Sequence, residues 1–202
     1  MALTLFQLES LPHTHFLRIT GGEPTNTLSR ERVRALTEAI LDLHSDPKPL
    51  IIAGNERYFS AGADIREVAA LTASTAYSFA EMGQRLMNAV AAHPAPTYAA
   101  VQGFCMGGGL DLALACSHRI AAPHSVFGHR GASLGIITGW GGTQRLPELI
   151  GKARALQMFL CAEKVTASHA LEIHLVDAIA DNPVAEALQR SERYSTKAQV
   201  LT

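Results

Sequence analysis

The stretch Met106–Asp111, with the sequence MGGGLD, lies at the junction of two apolar runs, Tyr98–Val101 and Leu110–Cys116. The first run is typical of a buried strand, and the second is too apolar for a surface helix, so it predicts a buried one. The glycines between them carry no side chain that would hold a ligand away from the main chain. The stretch therefore predicts a strand, a turn open to a ligand, and a central helix whose positive N-terminus lies near the Gly108 N–H.

A second segment of small residues, Phe59–Asp64 (FSAGAD), offers the same close approach to a backbone N–H. Two N–H groups directed at one point form an oxyanion hole, which stabilises negative charge on a carbonyl oxygen. Asp111 adds a carboxylate just beyond the glycine triplet. Together these features indicate enolate chemistry on an activated acyl group, although glycines after a strand can also serve only as a tight turn.

Other motifs that would point to a different chemistry are missing from the sequence or lack the structural context that they need. Neither GxGxxG nor GxxxxGK[ST] occurs, so a dinucleotide-binding fold and a phosphate-binding loop have no support. The nucleophile pattern GxSxG occurs once, as GASLG at residues 131–135. It follows no predicted strand and precedes no predicted helix, which is the context that this pattern needs in a serine hydrolase, so it does not support one.

Composition favours one ordinary soluble domain. The chain has 202 residues, of which 48% are hydrophobic and 17% charged, with a formal net charge of −1. This balance offers no general attraction for nucleic acid or for an anionic membrane, so neither is an expected partner. The first residues, Met1–Leu11, lack the pattern of a signal peptide, and no apolar run has the length of a membrane span. We therefore expect a cytoplasmic protein.

The cysteines and histidines do not predict a metal site. The cysteines have no CxxC spacing, and we expect them to be reduced, buried apolar residues: Cys105, Cys116 and Cys161. Three histidines lie close together in sequence but fit no standard zinc spacing: His118, His124 and His129.

Short apolar runs alternate with helical patterns along the chain, which predicts an α/β domain with crossover connections. Strands are expected at Phe16–Ile19, Leu50–Ala53, Tyr98–Val101, Arg119–Ala122 and Val176–Ile179. Besides the buried helix after the glycine triplet, helices are expected after Ser29 as N-cap, through Phe79–Val90, and at Thr143–Ile150, Ala153–Leu160 and Ala167–Ile173.

Five collinear segments carry a family resemblance: Asn26–Leu28, Phe59–Ile65, Gly103–Ala113, Phe127–Gly128 and Gly141–Leu146. Together they resemble the crotonase superfamily, the enoyl-CoA hydratase/isomerase family, over most of the chain. The resemblance implies an α/β fold, a crotonase-like spiral of ββα units, over residues 1–182. A short C-terminal helical or tail segment would follow over residues 183–202.

The resemblance also implies that the chain binds acyl-CoA thioesters. By motif match, the thioester oxygen would lie between the N–H groups of Ala63 and Gly108, with Gly107 beside them. Coenzyme A would enter as part of the substrate, and no separate cofactor is implied. The residues expected along it are Ala61, Gly62, Asp64 and Ile65. Arg66 would approach the CoA phosphates or remain a solvated surface charge.

Two positions depart from the family pattern. A typical hydratase uses two glutamates, and this chain has Asp111, one methylene shorter, at the first position. Asp111 is either the catalytic carboxylate or only a support for the buried helix. The second position, third after Phe127–Gly128, is Gly131, which remains part of the predicted substrate site but cannot transfer a proton.

Neighbouring residues could compensate for the missing glutamate. His129 gains and loses protons near neutral pH, although residues adjacent in sequence generally point in different directions. Arg130 could hold an anion. Thr138 stands where hydratases often carry proline. Trp140, the only tryptophan, either lines the acyl pocket or packs in the core.

Family members continue further past the late strand, into helices that cover the acyl pocket and pack in a trimer. We therefore expect a shortened helical region here, and a homo-oligomer, either a trimer or a dimer of trimers. The leading interpretation is a lyase or isomerase of the enoyl-CoA hydratase/isomerase type, with Ala63, Gly108 and Asp111 as its catalytic groups. Two alternatives stay open: another enolate reaction, such as decarboxylation or thioester hydrolysis, and a non-catalytic acyl-CoA-binding homologue.

Overall fold

The chain passes repeatedly between two sheets. The computed structural model describes residues 4–21 and 23–200, with side chains up to residue 196. In chain order the elements are β1 (Phe6–Ser10), β2 (His15–Ile19), α1 (Arg30–Leu43), β3 (Leu50–Ala53), β4 (Tyr58–Ser60), α2 (Ile65–Ala69), α3 (Ala73–Ala91), β5 (Thr97–Val101), β6 (Phe104–Met106), α4 (Gly108–Ala115), β7 (His118–Ala121), β8 (Val126–Gly128), a 3-10 turn (Gly131–Leu134), α5 (Gly142–Ile150), α6 (Lys152–Leu160), β9 (Val165–Thr166), α7 (Ala167–Glu172), β10 (Ala178–Ile179) and α8 (Pro183–Val200).

The two sheets are built from alternate strands. The larger sheet has the order β1-β2-β3-β5-β7-β10, and the smaller has the order β4-β6-β8-β9. All neighbouring strands are parallel except β1 with β2 and β8 with β9. Three times the chain leaves one strand in the larger sheet, one in the smaller sheet, and then forms a helix. This repeat confirms the predicted α/β spiral of ββα units.

Helix α4 lies in the centre of the domain, as its apolar sequence predicts. Every residue of α4 after Gly108 is buried. Its close packing against β4 depends on Gly109, because a Cβ there would lie 2.6 Å from the Ser60 carbonyl oxygen. The smallest side chain therefore lets the helix backbone contact the strand backbone directly.

Most of the predicted elements are present, with boundaries shifted by a few residues. The side chain of Ser29 accepts a hydrogen bond from the Arg32 N–H at 3.3 Å, which confirms it as the N-cap of α1. The late strand is shorter than predicted, since only Ala178–Ile179 pairs with β7. The strands of the smaller sheet have at most three residues each, too few to show the alternation by which a strand is recognised.

The expectation that all three cysteines are buried is wrong for one of them. Cys105 and Cys116 are buried, but Cys161 is exposed at the C-terminal end of α6. A helix C-terminus ends on the surface here, so the residue that follows it has no core to enter. Burial raises the pKa of the Cys116 thiol to about 12.

The C-terminal segment forms one helix, α8, against the larger sheet. Ala187 of α8 is buried in a cluster with Ile51, Tyr98 and Ile120 from three of the strands. The division into 1–182 and 183–202 falls at the start of α8, but it stays a prediction, and residues 1–3 and 201–202 lie outside the described residues. Among the helices of the described chain, none is long and apolar enough to cross a membrane.

Asp177 fastens the segment before β10 to β7. Its Oδ2 accepts a hydrogen bond from the Arg119 N–H at 2.6 Å and lies 3.4 Å from the Arg119 guanidinium. Partial burial of Asp177 disfavours its charged form. Hydrogen bonds from His118 and from the Arg119 backbone, together with the positive charges of both side chains, outweigh that effect and lower the pKa of Asp177.

We expect Asp177→Asn to lower the free energy of unfolding by about 1 kcal/mol at neutral pH. This is the usual contribution of a charge-assisted hydrogen bond, reduced because the Asp177 carboxylate is partly exposed to solvent. Because the pKa of Asp177 is lowered in the folded state, its stabilisation is complete above its unfolded pKa of about 4 and is lost as pH falls through the folded pKa. Urea unfolding at about pH 7 and about pH 3 measures this. A difference between variant and wild type that does not shrink at low pH would contradict the assignment, and Asp42→Asn, exposed on α1, is the control.

Candidate active site

The two glycine segments meet because β4 and β6 are neighbours in the smaller sheet. Gly62, just after β4, has φ +92°, and a Cβ there would lie 2.8 Å from the Gly108 nitrogen and 2.7 Å from the Met106 carbonyl oxygen. Gly107, just after β6, has φ +52°. Both positions therefore require glycine, one for close contact and both for a left-handed backbone.

This contact brings two backbone N–H groups close together. The position that a Cβ on Gly108 would occupy lies 3.4 Å from the Ala63 nitrogen. Among the hydrogen bonds of the described residues, none uses the N–H of Ala63 or of Gly108 as donor. The two residues that the sequence selects for an oxyanion hole thus adjoin each other with their N–H groups unused.

Asp111 lies in the first turn of α4, with its side chain fully buried. The Thr138 hydroxyl donates a hydrogen bond to its Oδ2. Its Oδ1 lies 3.1 Å from the Nε2 of His129, whose side chain is only 5% exposed. The two atoms are not aligned as a hydrogen bond, and both are left without a hydrogen-bond partner in the described structure. The carboxylate therefore faces a loop and an imidazole instead of capping the helix, whose N-cap is Gly107.

Gly142 makes room for this group of side chains. A Cβ on Gly142 would lie 2.1 Å from Asp111 Oδ1, 2.8 Å from the Thr138 methyl carbon and 3.0 Å from His129 Nε2. The His129 ring also packs against Phe159, with ring centroids 5.1 Å apart. The contribution of Gly142 and Phe159 was not predicted. Gly142 was part of the matched segment Gly141–Leu146 without a role of its own, and Phe159 was part of the helix predicted at Ala153–Leu160.

Gly131, the position at which the resemblance predicts a second glutamate, begins the 3-10 turn after β8. A Cβ at Gly131 would lie 2.5 Å from the Ile136 carbonyl oxygen, so the turn closes on itself at this residue. The neighbouring Arg130 is exposed. Of the two candidates for the missing group, His129 reaches Asp111, while Arg130 faces solvent.

Trp140 lies in a narrow space between two helices. Its indole covers Gly108, where a Cβ would lie 2.5 Å from Cζ3, and Gly83 of α3, where a Cβ would lie 2.2 Å from Cδ1. The ring is 3% exposed and packs on Phe79, 5.4 Å between centroids. Both interpretations of Trp140 are therefore compatible with its position, since it is buried and borders the unused N–H groups.

The remaining predicted residues follow the Ala61–Gly62 segment to the surface. Asp64 caps α2 by accepting the Arg66 N–H at 2.8 Å, and Ile65 is 64% exposed. The exposed guanidinium of Arg66 is paired with the carboxylates of Asp64 and Glu23. These three residues lie outside the buried group around Asp111, on an accessible edge next to Ala63.

No cluster of three His, Cys, Asp or Glu side chains that could hold a metal ion occurs among the described residues. Three features define the site instead: a ββα-spiral fold, two adjoining backbone N–H groups that donate to no other group in the described residues, and a buried carboxylate beside a histidine.

This combination occurs in a chain that matches one known family. The family model described as enoyl-CoA hydratase/isomerase matches residues 16–200. The chain belongs to the enoyl-CoA hydratase/isomerase family.

Two relatives with named activities support this membership. The chain is 38% identical over 177 residues to a probable enoyl-CoA hydratase of Bacillus subtilis, covering 86% of this chain and 68% of the relative. It is 37% identical over 182 residues to the crotonyl-CoA hydratase of Syntrophomonas wolfei, covering 89% of this chain and 70% of the relative.

Solved structures confirm the crotonase-like fold. Pseudomonas aeruginosa DspI superimposes with a TM-score of 0.89 at 33% identity, covering 94% of this chain and 79% of that one. The enoyl-CoA hydratase from Bacillus anthracis superimposes with a TM-score of 0.88 at 30% identity, covering 94% and 76%.

The space around Trp140 gives a direct test of the packing. Gly83→Ala places a methyl group where the indole now lies, and we expect a loss of about 1–3 kcal/mol in the free energy of unfolding from overpacking. Because Trp140 is the only tryptophan, its fluorescence reports this change without a label. The emission should shift to the red, and acrylamide should quench it more strongly. Gly139→Ala is the control, since its Cβ would meet only Ala80 at 3.4 Å. Equal spectra for the two variants would contradict the placement of the ring.

Proposed function

We propose that the chain hydrates short enoyl-CoA thioesters, and that the N–H groups of Ala63 and Gly108 stabilise the thioester enolate. The observation that carries this proposal is the meeting of two unused N–H groups with a buried carboxylate one helical turn away. The family membership and the crotonyl-CoA hydratase relative support the choice of substrate.

The largest contribution to catalysis would come from the two N–H donors. Removing one such donor from an oxyanion site raises the barrier by about 2.7–4 kcal/mol in comparable enzymes. The Gly108 N–H also lies at the first residue of α4, where the helix dipole favours negative charge. An enolate oxygen between Ala63 and Gly108 would therefore be stabilised by fixed dipoles that need no rearrangement.

Asp111 would act as the general base that activates water. The Thr138 hydroxyl holds its Oδ2, which leaves Oδ1 as the oxygen able to accept a proton. Thioester and water must also reach this carboxylate, whose side chain is fully buried beneath Thr138, His129 and Gly142. We infer that the segment 131–137, which ends next to Thr138, moves on substrate binding, and its side chains Leu134, Ile136 and Ile137 are exposed in the present structure.

The coenzyme A moiety would run along Ala61–Ile65, with Arg66 released from Asp64 and Glu23 to meet its phosphates. Another enolate reaction, decarboxylation or thioester hydrolysis, is the second candidate, favoured by the glycine at position 131. The homo-oligomeric state and the cytoplasmic location expected from the sequence stay predictions.

Hydration is tested with crotonyl-CoA, by following the loss of absorbance of the conjugated thioester. We expect turnover by the wild type and a decrease of about a hundredfold or more in kcat for Asp111→Asn, because the amide cannot accept a proton. Asp42→Asn should leave the rate unchanged. Wild-type protein that binds the thioester without turning it over would refute hydration, and an Asp111→Asn effect below tenfold would remove the base assignment.

The oxyanion site is tested separately with butyryl-CoA labelled with ¹³C at the thioester carbonyl. Two hydrogen bonds to the carbonyl oxygen polarise the C=O bond, so the bound ¹³C resonance should move downfield and the C=O stretch should fall in frequency. Asp111→Asn should retain both changes, because the donors are backbone groups. A carbonyl signal equal to that of free butyryl-CoA would contradict the role of Ala63 and Gly108.

A further inference from the structure

Hydration needs two proton movements, one from water and one to C2 of the thioester, and Gly131 cannot take part in either. We propose that His129 is the proton-holding partner of Asp111, so that the pair performs both movements around a single carboxylate. This inference rests on the proposed function. Because His129 acts through Asp111, it is a positioning residue in this scheme.

The geometry of the pair supports the proposal. His129 Nε2 and Asp111 Oδ1 lie 3.1 Å apart, with both side chains at least nine-tenths buried. Neither atom has an aligned hydrogen bond in the described structure. Buried polar atoms that lack a partner are rare and costly, and a buried carboxylate is tolerated when a positive charge neutralises it. A protonated His129 supplies that charge at contact distance.

Within the described residues, the contacts that the structure shows for the pair come from uncharged groups. Phe159 packs on the imidazole from α6, Gly142 contacts both groups from α5, and Thr138 binds the far carboxylate oxygen. Cys105 of β6 also lies near Asp111, and burial, with Cys116 and Asp111 adding to it, raises the pKa of its thiol, which keeps it neutral. Protons exchanged at this position are therefore shared between Asp111 and His129.

The proton balance closes with this pair. At rest it holds one proton, on His129, beside the ionised Asp111. The water oxygen forms its bond to C3, the C2=C3 electron pair moves into the enolate, and the water proton passes to Asp111, so the pair holds two. Asp111 then gives this proton to C2 as the enolate collapses. His129, 3.1 Å away, keeps its own proton throughout, so the pair ends as it began and one molecule of water has been added.

Variants of both residues test whether they act as a unit. His129→Gln keeps a polar side chain but cannot be protonated, and we expect it to lower kcat for crotonyl-CoA by about a hundredfold with unchanged binding of butyryl-CoA. The double variant with Asp111→Asn should be no slower than Asp111→Asn alone, because groups that act as a unit are not additive. His124→Gln, exposed on the same segment, is the matched control and should behave as wild type.

The results separate this inference from the proposed function. Exchange of the C2 protons of butyryl-CoA in D₂O needs enolate formation but no hydration, so it is measured alongside crotonyl-CoA turnover. If the wild type exchanges the C2 protons of butyryl-CoA but does not hydrate crotonyl-CoA, hydration is refuted and the inference about His129 is not. The exchange rates of the same variants then test the role of His129. A His129→Gln rate within threefold of wild type, or a double variant slower by the product of the single effects, overturns the inference.

A spectroscopic measurement needs no His129 variant and no activity. The ¹⁵N chemical shifts of the His129 ring should show an imidazolium in the wild type at about pH 7 and a neutral ring in Asp111→Asn, because removal of the carboxylate charge removes the reason to hold the proton. A neutral His129 in the wild type, or the same protonation in both proteins, overturns the inference even if neither protein turns over a thioester.

Discussion

The site depends on how closely two stretches of main chain approach each other. At Gly62 there is no room for even one methyl group between the segment after β4 and the start of α4, since a Cβ there would lie 2.8 Å from the Gly108 nitrogen. Parallel pairing of β4 with β6 brings the stretches side by side, and the helix that begins immediately after β6 carries Asp111 with it. The positions of two N–H groups and one carboxylate are therefore consequences of backbone packing, which side-chain substitutions elsewhere alter little.

Glycines around this backbone contact make room for large or ionisable side chains. The indole of Trp140 lies where side chains of Gly83 and Gly108 would be, and the side chains of Asp111, Thr138 and His129 fill the space next to Gly142. At each of these glycines, a bulky or ionisable group occupies space where helices would otherwise be in contact. Interiors are close-packed, so such groups fit only where the opposing residue has no side chain.

The residue patterns predicted an α/β domain and the meeting of two glycine segments through the main chain, and the ββα spiral was predicted from the family resemblance. The glycine triplet, the buried apolar helix and the Ser29 cap can each be recognised from a short stretch of sequence. The contact between His129 and Asp111 has no such local pattern. It joins residues of two different ββα units, and the direction of the His129 side chain depends on the path of a loop. Likewise, the strands of the smaller sheet are too short for their pattern to be recognised, and their pairing is visible only in three dimensions.

Gly131 shows how a tight turn can exclude a side chain from an active site. A side chain restored at this position would meet the Ile136 carbonyl oxygen at 2.5 Å, so a glutamate there could not take its place while the 3-10 turn keeps its present path. The substitution alone would therefore add a carboxylate without placing it in the site. A second carboxylate at this position needs a longer or more open loop as well, so the turn and the residue have to be redesigned together.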